Sequence, residues 1–519
     1  MRKTRSKIVS VIDIGSNAVR MRIAQTNDFT TMQELDALEF PTRLGHEVFT
    51  LGKISFDTQR ELSSILDGFL KICHEYGADQ IKVVATTALR EADNQAYVLD
   101  RLKTQNGLTV EILEDGEETA RIYAEAIRRL HTAGIRREGD TLLAHVGTGS
   151  IGIAVYSQDN IVFSQNISTG SLKIGDILGS VLEHTNKFYQ PVAEYIESFF
   201  GRLTAHIDFS RIHSLILTGR ETEGLIELCD GDASGGLGLV DTAKLLEVYA
   251  AMRVQSPEQI AARQNLTPEQ SEQLYALLCI CVKFAELAGS PDILWPDVDL
   301  MDAMLSQSLF PEARQGYDEQ NLRGALCSVE RMAARYQCDM THANAVAGFA
   351  STLYEFLRKY HGLPKRRRLL LELAAMMHDA GFYVNSKNRN LSTFGLIRNS
   401  HIYGLSDRDV LLVAHIANYG DIGAPDEWRE EFYDLTGKER LLVVKMAAIL
   451  RLSDALDYAR RQKIERIELS MQEDELWITA RSNADLSLEW WAFTRSAEFF
   501  EEVFGIQPKL LTVNPMLTQ

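Results

Sequence analysis

Two short turns in this sequence carry residue types that bind phosphate. Asp13-Ile14-Gly15-Ser16-Asn17 follows one β-branched run, and Gly147-Thr148-Gly149-Ser150 follows another. A glycine turn presents successive backbone N–H groups that cradle phosphate oxygens. Ser16, Asn17, Thr148 and Ser150 add side-chain donors, and Asp13 at a strand end is placed to hold a metal-bound water. One such turn is all that an ordinary hairpin needs, so it is the matched pair that points to a phosphate chain gripped from both sides. Arg20, Arg43 and Arg90 stand near these turns as candidate anion receivers. A second constellation is His342, His378-Asp379 and Asp454. Imidazoles with carboxylates suit a divalent ion such as Mn, Fe or Zn. A lone His-Asp pair arises by chance in a long chain; four such residues in helical contexts make a stronger signal.

The elements that must position these residues read as two α/β units. Residues 7–14 and 18–25 read as a hairpin around the first turn, 57–75 as an amphipathic helix, and 81–85 as a strand. Residues 92–104 read as a helix, 109–113 as a strand and 117–131 as a helix. A second round opens with strands at 141–146, 151–156 and 160–166, helices through 172–206 and a strand at 212–217; helices dominate 241–287. The shared opening of strand, glycine turn and strand is a weak internal duplication. Residues 319–460 are helical by period. The tail alternates at 464–470 and 475–480, with a helix at 495–504 and a strand at 508–513. The expected domains are 1–135, 136–305, 306–460 and 461–519.

The chain has 519 residues, 45% hydrophobic and 24% charged, with a net charge of −18. This is globular composition, and it excludes disorder, a collagen-like fibre and a disulfide scaffold. The acidic balance repels polyanions at long range, which argues against a generic nucleic-acid binder and favours a compact phosphate ligand over a long polymer. Six cysteines without a CxxC pair read as free thiols of the cytosol. No apolar run approaches a membrane span or a signal h-region, so a cytoplasmic protein is expected. Lys365-Arg366-Arg367-Arg368 reads as a solvated face, His361, His401 and His415 as surface or packing residues, and Trp490-Trp491 with Phe499-Phe500 as core of the tail.

Val11-Ile12-Asp13-Ile14-Gly15-Ser16-Asn17-Ala18-Val19-Arg20 resembles the opening signature of the exopolyphosphatase/guanosine pentaphosphate phosphatase (Ppx/GppA) family. Arg43-Leu44-Gly45, Ala85-Thr86-Thr87-Ala88-Leu89-Arg90-Glu91-Ala92-Asp93-Asn94 and Gly116-Glu117-Glu118-Thr119-Ala120-Arg121 resemble its next motifs. The resemblance implies an α/β fold of two actin-like (ASKHA, ribonuclease H-like) lobes. It also implies hydrolysis of terminal phosphoanhydride bonds of polyphosphate or pppGpp between them, with Mg or Mn, and a homodimer. His342, His378, Asp379 and Asp454 resemble the ligand set of an all-α HD-like domain, ahead of a small α+β tail. Ser392 and Gly420 replace two further histidines of that pattern, which implies one ion.

The departures bear on function. Thr119 stands where the family has its catalytic glutamate, His145 where it has an aspartate of the second turn, and Gly152 where it has a glutamate. Thr218-Gly219-Arg220-Glu221 replaces a glycine-rich turn. Glu118, one step around the helix, is the substitute base. The expected function is therefore a Ppx/GppA-type hydrolase, divergent at its carboxylates. The alternatives are a phosphate- or nucleotide-binding sensor and a metal-dependent HD phosphohydrolase.

Overall fold

The computed structural model describes residues 6–135, 139–182, 189–203, 207–231, 237–290, 292–418, 432 and 434–513. Parts of the predicted helical stretches 172–206 and 319–460, Gly420 among them, lie outside the described residues. The chain divides into two compact units, 1–324 and 325–519.

In the first unit, the β-branched run at the start becomes strand β1 (Lys7–Ile14), followed by β2 (Ala18–Thr26) and β3 (Gln33–Pro41) in an antiparallel meander. β4 (Gln80–Ala85) lies parallel to β1, and β5 (Glu111–Ile112) parallel to β4, giving the order β3-β2-β1-β4-β5. Alternate residues of a strand face opposite ways, and β1 uses both faces. Ile12 and Ile14 join a core with Leu44, Leu62, Leu66 and Phe69. Val9 and Val11 join another with Ile122, Ala126, Leu300 and Met304. A Leu300–Leu309 helix thus returns to the first sheet and packs beside the Asp115–Thr132 helix.

The predicted helix at 92–104 starts three residues later, as Gln95–Asn106, and a short helix the sequence reading did not include, Thr87–Glu91, precedes it, with Ala92 extended between them. Just ahead of the longer helix, the Asn94 side-chain amide bonds both the N–H and the C=O of Ile54.

The second sheet repeats the opening. β6 (Asp140–Val146), β7 (Ile151–Ser157) and β8 (Asn160–Ile167) form an antiparallel meander. β9 (Ile212–Thr218) lies parallel to β6 and β11 (Asp292–Trp295) parallel to β9. With β10 (Gly238–Asp241) at the edge, the order is β10-β11-β9-β6-β7-β8. After β9, Gly219 has φ +121°, and a Cβ there would sit 2.3 Å from the Val146 carbonyl oxygen, so only glycine fits this corner.

In the second unit, helices Met340–Phe356, Arg368–Met377, Asp407–Asn418 and Gly437–Ala455 share one core with a three-stranded sheet. Its strands are β12 (Arg466–Gln472), β13 (Glu475–Arg481) and β14 (Gln507–Val513), in that order. The tail helix starts earlier than its sequence suggests, at Ser487. This corrects the reading of Trp490-Trp491 as core: they are 55% and 46% exposed. Phe493 and Phe500 take the buried stripe of that helix instead. Among the described residues, no helix is long and apolar enough to cross a membrane.

Candidate functional site

The two glycine turns close in the same way. The Gly15 N–H donates to the Ala18 carbonyl at 3.1 Å, and the Gly147 N–H to the Ser150 carbonyl at 3.0 Å. Each turn is also tied back at its next carbonyl: Ser16 O accepts from Gly45 N–H (2.7 Å), and Thr148 O from Leu172 N–H (3.1 Å). A trans peptide points its N–H away from its C=O, so anchoring these carbonyls turns the Asn17 and Gly149 N–H groups the other way. Gly149 sits so close to Thr87 that a Cβ would lie 2.6 Å from its Cγ2. This approach brings the second sheet's turn against the first sheet's Thr86-Thr87. Lys173 Nζ pairs with Glu91 at 2.6 Å across the same junction.

Between the turns lies a cavity lined by Gly15, Ser16, Asn17, Thr86, Thr87 and residues 147–150. Asp13, Glu118, His145, Arg20, Arg220 and Asp299 complete its wall. Of the arginines expected to receive an anion, only Arg20 reaches it. Arg43 is an exposed residue at the start of the Leu44–Leu51 helix. Arg90 donates to the Leu113 carbonyl (2.5 Å), to Thr87 Oγ1 (3.1 Å) and to Asp115, so it ties the Thr87 turn to the start of the Glu118 helix.

The cavity's electrostatics are set by burial. Asp13 Oδ1 and Glu118 Oε2 are buried without a hydrogen-bond partner among the described residues. Burial pushes the Asp13 carboxyl up to about 6 against the pull of Arg20, and Glu118 up to about 8 against Arg90. Asp299, at the N-terminus of the Leu300–Leu309 helix, is raised to about 7 by burial and by the Asp302 carboxylate. His145 pairs in register with Gly152 and stands beside Thr218; burial lowers it to about 4, so its ring is neutral near pH 7. Buried, unpartnered carboxylate oxygens with a neutral imidazole are a donor set that fits a divalent cation with mainly oxygen ligands.

Thr119 does not enter this wall. Its Oγ1 donates to the Asp115 carbonyl at 2.8 Å, and its methyl packs on Gly152, where a Cβ would sit 2.4 Å from Thr119 Cγ2 and 2.8 Å from the Tyr123 hydroxyl. Thr119 and Gly152 therefore face one another. Arg220 and Asp299 were not singled out as site residues from the sequence. The signal for Asp299 was its capping box with Asp302 ahead of an apolar run.

In the second unit, His342, His378 and Asp379 present ligand atoms within 4.8 Å of one another. Asp454 Oδ1 lies 3.1 Å from His342 Nε2 and 3.5 Å from His378 Nε2, so the four expected residues converge. His378 Nδ1 is 2.7 Å from the Ala375 carbonyl, which makes Nδ1 the donor and leaves Nε2 as the lone-pair nitrogen. Asp457 holds His342 Nδ1 at 2.9 Å in the same manner; its signal was helical spacing from Asp454. Two carboxylates outweigh burial and raise His342 to about 9, while the imidazoles hold Asp454 below the usual carboxylate range despite its burial. Arg460 and Arg389 pair with Asp379. His361 and His415 are buried packing residues. Within the basic run, Arg367 pairs with Asp409, and Arg368 with Glu355 and Glu372.

Comparison with known proteins supplies the family. The model of the Ppx/GppA phosphatase family matches residues 22–285, and that of Ppx/GppA phosphatase domain III matches 326–491. The chain belongs to the Ppx/GppA phosphatase family. It is 22% identical to a guanosine-5'-triphosphate,3'-diphosphate pyrophosphatase of Vibrio parahaemolyticus, over 91% of this chain and 92% of that one. It is 27% identical to exopolyphosphatase 1 of Mycobacterium tuberculosis over 32% of this chain; that match spans 47% of the relative's length. A solved Ppx/GppA family member from Aquifex aeolicus superposes with a TM-score of 0.48 at 20% identity, over 59% of this chain and 99% of that one.

Two outcomes follow. The carboxyls with raised folded pKa stabilise the protein below their unfolded values, and this is lost as pH rises through about 6 to 8. His145 acts in the opposite sense, but only below its unfolded value of 6.5. In chelator, the Tm should therefore fall between pH 6.5 and 8.5, more steeply than in Glu118→Gln, and Mg or Mn should flatten the fall. A Tm that rises over this window, or an identical slope in the variant, contradicts the assignment. Gly152→Ala should cost about 1–3 kcal/mol by overpacking, with part recovered on adding Thr119→Ser. An unchanged denaturation midpoint would refute the contact.

Proposed function

We propose that this chain is a phosphoanhydride hydrolase that removes the terminal phosphoryl group of polyphosphate or of a (p)ppGpp-like nucleotide in the cavity between the two turns. The observation that carries this reading is the pair of equivalent turns facing buried, unpartnered carboxylate oxygens of Asp13 and Glu118. The amides and side chains of Gly15, Ser16, Asn17, Gly147, Thr148, Gly149 and Ser150 hold the terminal phosphoryl, and Arg20 takes the next anionic oxygen. Asp13, with Glu118 or Asp299, would hold a divalent cation such as Mg or Mn, which neutralises phosphoryl charge when bound.

Glu118 orients the attacking water and takes its proton as the water oxygen bonds to phosphorus and the anhydride oxygen leaves. Its raised carboxyl suits a base that works near or above neutral pH. His145 stays neutral and adds no charge to repel a cation. The reading includes a cytoplasmic setting, in keeping with free thiols at all six cysteines, and a homodimer.

A second reading concerns the other unit. The convergence of His342, His378, Asp379 and Asp454, with both imidazoles fixed from behind, favours one bound Mn, Fe or Zn ion in an HD-like domain. Turnover there of a nucleotide or phosphate ester is the competing hydrolase reading, and a closed cleft without turnover is the sensor reading.

With Mg or Mn, the purified protein should release phosphate from tripolyphosphate or pppGpp, and Glu118→Gln should release it about 100-fold more slowly or worse. Equal release by both proteins would overturn the role of Glu118, and no release by the parent would leave the sensor reading in its place. Elemental analysis should find transition metal in the parent and much less in His378→Ala and Asp454→Ala. Equal metal content in all three would remove the second site.

A further inference from the structure

The cavity between the turns adjoins a neighbouring basin, and Arg20, Arg220 and Asp299 line both. Arg22 and Arg129 also line the basin, and the buried Asp302 carboxylate holds both. Arg22 pairs with Asp302 at 3.0 Å and Glu34 at 2.8 Å, and Arg129 with Asp302 at 3.0 Å. Arg20 and Arg220 are held differently. A single atom, Glu39 Oε2, lies 3.3 Å from Arg20 Nε and 2.9 Å from an Arg220 terminal nitrogen. Arg20 and Glu39 are cross-strand partners on β2 and β3, whereas Arg220 comes from the turn after β9 of the other sheet. One carboxylate oxygen thus bridges two guanidinium groups from opposite sheets at the junction of cavity and basin.

We infer that Glu39 stands in the place of a phosphoryl oxygen of the substrate's distal phosphate chain and competes with that chain for Arg20 and Arg220. The inference rests on the phosphate reading of the cavity. Two guanidiniums around one anionic oxygen is an arrangement that phosphate takes readily. The Glu39 and Arg220 side chains are 40% and 44% exposed, against 16% for Arg20, so the carboxylate that joins the two arginines is itself solvated and displaceable. A ligand with a single terminal phosphoryl fills the cavity without opening the bridge. A ligand with further phosphates must displace Glu39, which then swings to solvent from its edge strand. Glu39 therefore weakens the binding of longer phosphate chains and acts on affinity without touching the reacting phosphorus.

The test is calorimetric titration of tripolyphosphate and of inorganic phosphate, with Mg present, into the parent, Glu39→Gln, Glu39→Ala, Arg220→Ala and the Glu39→Gln/Arg220→Ala double variant. Both Glu39 variants should bind tripolyphosphate about 5- to 20-fold more tightly than the parent, the fold-change of two ion pairs that share one solvated carboxylate. Inorganic phosphate should bind with little change. Arg220→Ala should bind tripolyphosphate more weakly, and in its background the gain from Glu39→Gln should shrink. A merely structural Glu39 would give equal or weaker binding in both Glu39 variants, and that result overturns the inference. If the parent and every variant fail to bind either phosphate, the phosphate reading of the cavity falls, and the inference with it.

Discussion

The first unit is organised around carboxylates with buried oxygens left without a hydrogen-bond partner among the described residues. Asp13 and Glu118 each keep an oxygen away from water and from any hydrogen-bond donor among the described residues, a state that burial strongly opposes. A cavity wall of this kind persists only where the surrounding structure holds it or where a cation completes it. Here the holding elements can be traced. Asp13 ends the central strand of a sheet packed on both faces. Glu118 sits in the first turns of a helix whose start is capped by Glu114 and Glu117 and tied by Arg90 to Leu113 and Thr87. The two glycine turns then supply the complementary positive groups at the same cavity.

The same constraint bears on the residues around this wall. Thr119 and Gly152 are packed together, so a side chain at 152 and a longer one at 119 would contend for the same space. His145 offers a metal-compatible nitrogen and, with burial holding its ring neutral, no charge. The carboxylates of the cavity wall are Asp13, Glu118 and Asp299.

The turns and the strands around them were readable in the sequence, because a β-branched run ending in Gly-Ser-Asn or Gly-Thr-Gly-Ser marks a strand and its turn, and here the pattern occurs twice. So was the His342, His378, Asp379 and Asp454 set, whose members sit at helix starts and ends. What the sequence concealed was direction and assembly. A step of one residue swings a helical side chain by about 100°, so which of Glu118 and Thr119 faces the cavity depended on the packing of Thr119 against Gly152. Arg90 looked like an anion receiver but is occupied in joining two segments. Arg220 and Asp299 reach the cavity only because β9 and the Leu300–Leu309 helix are brought to it by tertiary packing. Trp490 and Trp491 misled because hydrophobicity alone does not say which stripe of a helix is buried.

The central claim is that the buried carboxylates between the two turns form a cation site that prepares the cavity for a phosphate chain. An anomalous difference map from crystals soaked in Mn tests it most directly. The account predicts a peak about 2.1 Å from an Asp13 oxygen, with Glu118 or Asp299 in reach, bordering the turns at 15–17 and 147–150. A map with no peak in that cavity, at Mn concentrations that fill other sites of the same crystal, would contradict it.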